Sequence, residues 1–253
     1  MEMPIHNSAS RGLQPAPPRG RFTNALLSAL NAEVVGRLRL RPVKFELEHE
    51  LEYPGRLIEN LYFLENGMAS MTTTFRNGSQ VEVGMFGFKS VVGVSALMGS
   101  KRSLNRVYTQ IAGTGYASPV EAARKEFSLG GLFQQIALAY VQAQLVQVIQ
   151  LAGCNATHNF EQRLARWLLV CADRAQCNTF HMSHEFLSDM LGSTRSTMSI
   201  AAAQLKHENL IEYTRGVIRI VNAKGLEKKA CECYRVVEDY LDNFIQFDSG
   251  IPS

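Results

Sequence analysis

Three textures of apolar and polar positions follow one another along the chain. Residues 1–21 mix Pro, Gly, Ser and Arg with no apolar period, which predicts a flexible tail. Behind Thr23 and Asn24, the residues Leu26, Leu27, Leu30, Val34 and Leu38 recur at helical spacing and predict one short helix. From about Val43 to Ser118 short apolar runs alternate with turn pairs such as Pro54-Gly55, Asn66-Gly67 and Asn77-Gly78. The runs Asn60–Leu64, Met71–Phe75, Val81–Val83 and Val107–Ile111 read as strands. Many short strands joined by glycine turns predict an antiparallel roll, here within a unit spanning 22–127.

Between Pro119 and Pro252 there is no proline, and the period changes. Leu138, Val141, Leu145, Val148 and Ala152 step by three and four, while Leu132, Phe133, Ile136 and Tyr140 form a second stripe. A helix over 128–157 with two apolar faces needs two partners, the roll and a second copy of the chain. The stretch from Phe127 to Phe160 carries no charge and is long enough for a membrane span. Its glutamines 134, 135, 142, 144, 147 and 150 would be costly in lipid, so no membrane partner is expected. A further helix begins at Asn159, a natural N-cap, with Phe160, Leu164, Trp167 and Leu168 as its core stripe.

The segment from His181 to Val221 is the most informative. Ser183 can cap a helix with Glu185 in its first turn and Leu187, Met190 and Leu191 as its apolar face. Gly192 supplies a tight turn, and Thr194 caps a second helix whose Met198, Ala202 and Leu205 face inward. Its other face starts with Arg195, Ser196, Thr197 and Ser199, short polar groups and one guanidinium at a helix N-terminus. That arrangement suits a helix entering a DNA major groove. Leu210–Tyr213 and Val217–Ile220 flank Thr214-Arg215-Gly216 and predict a hairpin, hence a winged helix–turn–helix over 158–235. A C-terminal helix and tail fill 236–253. The fold class expected is α+β: an N-terminal antiparallel β-roll, a long dimerisation helix and a C-terminal winged helix–turn–helix.

Composition sharpens this picture in two places. With 46% hydrophobic and 19% charged residues over 253 positions, the chain can build a core. Five cysteines and no secretory signal at the N-terminus exclude a disulfide framework and point to the cytoplasm. The net charge of +3 is too small to argue for nucleic acid. From Leu191 to Lys229, however, Arg195, Lys206, Arg215, Arg219, Lys224, Lys228 and Lys229 face only Glu208, Glu212 and Glu227, a local excess of four positive charges. Positive charge is concentrated where phosphates would lie.

The order of roll, long helix and winged helix–turn–helix resembles the Crp/Fnr superfamily of bacterial transcription regulators. The segments carrying the likeness are Phe186–Gly192, Thr194–Met198, Leu205–Ile211 and Glu161–Trp167; it extends from about Leu27 to Tyr234 and is topological in the roll. The resemblance implies that Arg195 is a base-reading arginine. Ser196 stands where the family commonly has glutamate, and Ile200 where a second arginine is common, so a different target sequence is implied.

The family often holds a cyclic nucleotide through a Gly-Glu pair and an Arg-Ser-Ala stretch. Here Val94 follows Gly93, and Arg102-Ser103-Leu104 is only a partial echo, so no cyclic AMP response is expected. Cluster-sensing relatives ligate with several N-terminal cysteines, whereas the first cysteine here is Cys154. Cys231-Glu232-Cys233 is a weak zinc motif with no histidine at ligand spacing, and reads as reduced thiols. His49 alone gives the roll no metal ligand set, so neither cofactor nor metal is expected. Gly84–Ser90 lacks the register of a phosphate loop and Gly93–Leu97 lacks the second glycine of a nucleophile elbow, so no enzyme is expected.

The function expected is therefore a sequence-specific DNA-binding regulator acting as a homodimer on a roughly palindromic operator. Thr194, Arg195, Ser196, Thr197, Ser199, Lys206 and Arg215 are the candidate contacts to double-stranded DNA. The roll would serve as sensor, effector unknown, or as a contact surface for RNA polymerase. The alternative is a ligand-binding or interaction module whose C-terminal domain is only a scaffold; DNA affinity at low salt discriminates the two.

Overall fold

The structure, a computed structural model, describes residues 21–245. The tail expected over 1–21 lies outside them except for Arg21, as does the expected C-terminal tail beyond Ile245.

Two short helices replace the single one expected near the N-terminus. The Asn24 side chain accepts from the amides of Leu26 and Leu27 and starts α1 (Ala25–Ser28). Asn31 accepts from the Val34 amide at 2.9 Å and starts α2 (Ala32–Arg37). An asparagine side chain that competes for backbone amides interrupts the helix between them.

Eight strands then form the roll: β1 (Arg41–Phe45), β2 (Glu50–Glu52), β3 (Asn60–Leu64), β4 (Met68–Thr74), β5 (Gln80–Phe86), β6 (Val91–Val92), β7 (Arg106–Ile111) and β8 (Gly113–Pro119). They make two antiparallel sheets in the orders β1-β8-β3-β6 and β2-β7-β4-β5, with Tyr62 opposite Ala117 and Ser70 opposite Tyr108. Alternating side chains meet between the sheets: Phe45, Leu51, Leu64, Ala69, Phe86, Val92 and Val107 are all buried there.

The long helix is shorter than the 128–157 expected. A first helix, α3 (Val120–Ser128), ends before Gly130 and Gly131, and α4 runs over Leu132–Thr157. Phe133, Ile136, Tyr140 and Ala143 pack on the first sheet together with α1, α2 and α3. The helix is long and apolar enough to cross a membrane by length and composition alone. Instead one side of it is core, and the other is a stripe of exposed Leu138, Leu145, Val148 and Ile149. Val141, expected in that stripe, is half-buried against the roll.

The remaining elements are α5 (Phe160–Ala175), β9 (Thr179–His181), α6 (His184–Met190), α7 (Arg195–His207), β10 (Ile211–Thr214), β11 (Val217–Ile220), α8 (Ala223–Lys229) and α9 (Cys233–Asn243). Strand β9 is too short, at three residues, to be legible in the sequence; it pairs with β11 and turns the hairpin into a three-stranded sheet in the order β10-β11-β9. Helix α9 starts at Cys233, not at 236, and returns to the roll, where Val237, Leu241 and Phe244 join the cluster under α4.

The C-terminal unit shares its core with the second sheet of the roll. Met68 and Met85 are buried with Trp167, Leu168, Leu187, Met198 and Ile218. Trp167 Nε1 donates to Glu82 Oε1 at 2.8 Å across this junction. Gly87 has no room for a side chain, because a Cβ there would lie 2.7 Å from the carbonyl oxygen of Arg174. Beside it a fully buried ion pair joins Arg174 of α5 to Glu238 of α9 at 2.6 Å, with Lys89 of the roll 3.3 Å from the same carboxylate.

Candidate nucleic-acid interface

Local sequence builds the helix–turn–helix. Ser183 accepts from the Phe186 amide at 3.1 Å and starts α6; Gly192 takes φ +61° in the turn; Thr194 accepts from the Thr197 amide at 3.2 Å and starts α7. Each cap satisfies amides that a helix start leaves without partners. Met198, Ala201, Ala202 and Leu205 are buried against α5 and α6, which fixes the opposite face of α7 outward.

That outward face carries most of the expected residues. Thr194, Arg195, Ser196 and Lys206 are exposed. The Thr194 hydroxyl lies 2.9 Å from both Ser196 Oγ and Thr197 Oγ1, so the first turn presents a linked row of hydroxyls. Ser199 is drawn sideways instead: its hydroxyl bonds His184 Nδ1 at 2.9 Å, and the His184 ring stacks on Tyr213 with centroids 4.2 Å apart. Burial, and then the Arg195 charge, hold the His184 imidazole below the usual histidine range. His184 and Tyr213 thus brace α7 against α6 and the wing. Sequence reading missed both, because each continues the apolar face of its own element, His184 three residues before Leu187 and Tyr213 two after Ile211, and so reads as packing.

The wing is a two-residue hairpin. Thr214 pairs with Val217, and Arg215 and Gly216 both take positive φ, 49° and 78°, as a type I′ turn requires. Arg215 is therefore at the tip and exposed. Lys206 Nζ reaches the Tyr213 carbonyl at 3.5 Å, toward the root of the wing. Two of the seven local cations are neutralised within the unit: Lys229 lies 2.6 Å from Glu208 and 3.4 Å from Glu161, and Arg219 lies 3.1 Å from Glu212. Among the described residues, Arg195, Lys206, Arg215, Lys224 and Lys228 enter no ion pair. One further residue stands out on the same face: Ile200 is 72% exposed.

Comparison with known proteins agrees with this geometry. The profile of the Crp-like helix-turn-helix domain matches residues 162–229. The global nitrogen regulator of Synechococcus elongatus is 24% identical over 216 residues, covering 81% of this chain and 97% of that protein. The chain carries a Crp-like helix-turn-helix domain and resembles Crp/Fnr regulators over most of its length. Its fold is shared by FixK2 from Bradyrhizobium japonicum, with a TM-score of 0.64 at 16% identity over 76% of this chain and 98% of that one. A CRP/FNR-family transcriptional regulator from Thermus thermophilus has a TM-score of 0.62 at 18% identity, over 75% and 98%. Like its Crp/Fnr relatives the protein is a DNA-binding transcription regulator and not an enzyme.

Proposed function

We propose that two copies pair through α4 and place two α7 helices in successive major grooves, about 34 Å apart, on a roughly palindromic operator in the cytoplasm. The observation that carries this reading is the exposed stripe of α4. Leu138 is 49% exposed, Leu145 51%, Val148 42% and Ile149 69%, on a helix without a charged residue and on the side away from the roll. Such a seam is the surface a second identical helix covers.

In this arrangement Arg195 reads a base edge, most simply guanine O6 and N7, and Thr194, Ser196 and Thr197 line the groove entrance. Lys206 and Arg215 meet phosphates on either side. Ser199 contributes by fixing His184. Ile200, where relatives commonly carry an arginine, offers an apolar contact to a thymine methyl. The family resemblance links Gly93 and Arg102-Ser103 to cyclic-nucleotide binding. Here the Glu52 carboxylate accepts from both the Gly93 amide and the Ser103 hydroxyl. A protein carboxylate already satisfies these donors, which supports a roll that does not respond to cyclic AMP.

Random-oligonucleotide selection with the full-length protein tests the reading. It should return two inverted half-sites about one helical turn apart. Ile149→Glu, which leaves the packed side of α4 untouched, should sediment as a monomer and bind a half-site only. Recovery of no preferred sequence, or an unchanged dimer for Ile149→Glu, would overturn it.

A further inference from the structure

The hinge between α4 and α5 contains a group of side chains that the DNA-binding reading does not use. Cys154 and His158 are one helical turn apart on the last stretch of α4, and Cys231 and Cys233 flank the start of α9. Their Sγ and ring nitrogen atoms all lie within 4.8 Å of one another. Cys154 is 1% exposed, Cys231 4% and Cys233 2%, and together they form a cluster separate from the three larger cores.

The spacing is that of ligands around a single ion. A tetrahedral site with metal–sulfur bonds of about 2.3 Å and a metal–nitrogen bond of about 2.0 Å holds two sulfurs about 3.8 Å apart and sulfur and nitrogen about 3.5 Å apart. Cys154 Sγ lies 3.5 Å from Cys231 Sγ, and Cys233 Sγ lies 3.6 Å from His158 Nδ1. Iron–sulfur clusters distribute their thiolates over several irons and set them wider apart than this.

The surroundings also suit an ion. His158 turns Nδ1 toward Cys233, and its Nε2 lies 3.3 Å from the Glu232 carboxylate, the outer partner that orients and polarises a metal-bound imidazole. The Gln150 side-chain amide donates to Cys233 Sγ at 3.1 Å. Arg163 and Arg166 act electrostatically on Cys154 and would offset the negative charge of three thiolates. Buried thiols that served only as small apolar side chains would need neither the imidazole nor these donors.

We propose that Cys154, His158, Cys231 and Cys233 bind one zinc ion in a closed tetrahedral site. Three thiolates and an imidazole select a thiophilic divalent ion, and four protein ligands leave no open position, so the site is structural. The chain enters the winged helix–turn–helix at Cys154–His158 and leaves it at Cys231–Cys233. His158 is also where α4 breaks, with ψ 145°. One ion would clamp both strands of chain at the base of the DNA-binding unit and hold its angle to α4.

Metal analysis of the full-length protein, purified anaerobically under reducing conditions, decides the matter without any DNA readout. One zinc per protomer is expected, and cobalt(II) in its place should give the thiolate charge-transfer and tetrahedral ligand-field bands of a Cys3His site. Cys231→Ser should lose the ion, and Cys177→Ser, outside the cluster, should keep it. His158→Cys should keep one ion and shift the cobalt spectrum to the all-thiolate form, which remains decisive if Cys231→Ser does not fold. Glu232→Gln should weaken zinc in a chelator competition by about 10-fold. The proposal is overturned if the reduced chain takes up neither zinc nor cobalt, if it holds iron with acid-labile sulfide, or if a cobalt spectrum is indifferent to His158→Cys.

Discussion

The helix–turn–helix and the junction behind it are built in opposite ways. From Ser183 to Gly216 the elements are set locally, by two side-chain caps, one glycine at the turn, and an apolar period that buries Met198, Ala202 and Leu205, with the His184–Tyr213 stack as an added brace. The junction is assembled from residues far apart in the chain. Trp167 meets Glu82, Arg174 meets Glu238 and Lys89, and Cys154 with His158 meets Cys231 with Cys233. The recognition face is exposed, whereas the junction is buried and holds charge. Substitutions should therefore affect binding in the first region and stability in the second.

The largest effect should come from the buried ion pair. Glu238→Gln leaves Arg174, fully buried, without its counter-charge and should destabilise the protein by about 3–5 kcal/mol in urea unfolding. A loss below about 1 kcal/mol would mean that water reaches Arg174 and that the junction is looser than its packing implies.

Next comes Glu82, whose carboxyl is pushed up to about 7. Burial is the main cause, partly offset by the Ser70 hydroxyl and the Trp167 indole N–H that donate to it. The folded state thus holds a proton that the unfolded chain releases near its ordinary value of 4.5. Between those values the folded state binds more protons, so stability is fully present below about 4.5 and is lost as pH rises toward 7. The full contribution is on the order of 3 kcal/mol. Glu82→Gln keeps an acceptor for Trp167 and should flatten that part of the stability–pH profile. Asp173, raised by burial and by the Glu238 charge to about 6, titrates in the same window, so the difference between wild type and Glu82→Gln isolates Glu82.

On the exposed side, Arg195→Ala should cost about 1–3 kcal/mol on the selected operator and relax discrimination at one base pair per half-site, with the melting temperature unchanged. Smaller still is Arg215→Ala, which should weaken binding to all sequences alike and reduce the salt slope by about 0.9 for each phosphate that Arg215 neutralises. An Arg195→Ala variant that lowers every affinity equally would make Arg195 a phosphate anchor, and the contrast between reading helix and anchoring wing would disappear.

The elements that can be read directly share one property: the groups that decide them are close in sequence. Asn60–Leu64 is a strand because apolar residues are bounded by turns, Asn159 caps α5 within three residues of its bonding partner Gln162, and the wing follows from Arg215-Gly216. The exposed stripe of α4 is visible for the same reason, although only packing shows that Val141 belongs to the roll and that Ile149 is the most exposed of the stripe.

What the tertiary structure decided depends on long-range pairing. Strand β9 exists because β11 offers it an edge, and α9 is drawn back onto the roll by Val237, Leu241 and Phe244. Cys231-Glu232-Cys233 reads as two idle thiols because the ligands that complete the set are 73 residues or more away, at His158 and Cys154. Local periodicity specifies which face of an element is apolar; it carries no information on which distant polar group that element will bring along. The reading helix was therefore determined by sequence alone, and the clamp at its base only by folding.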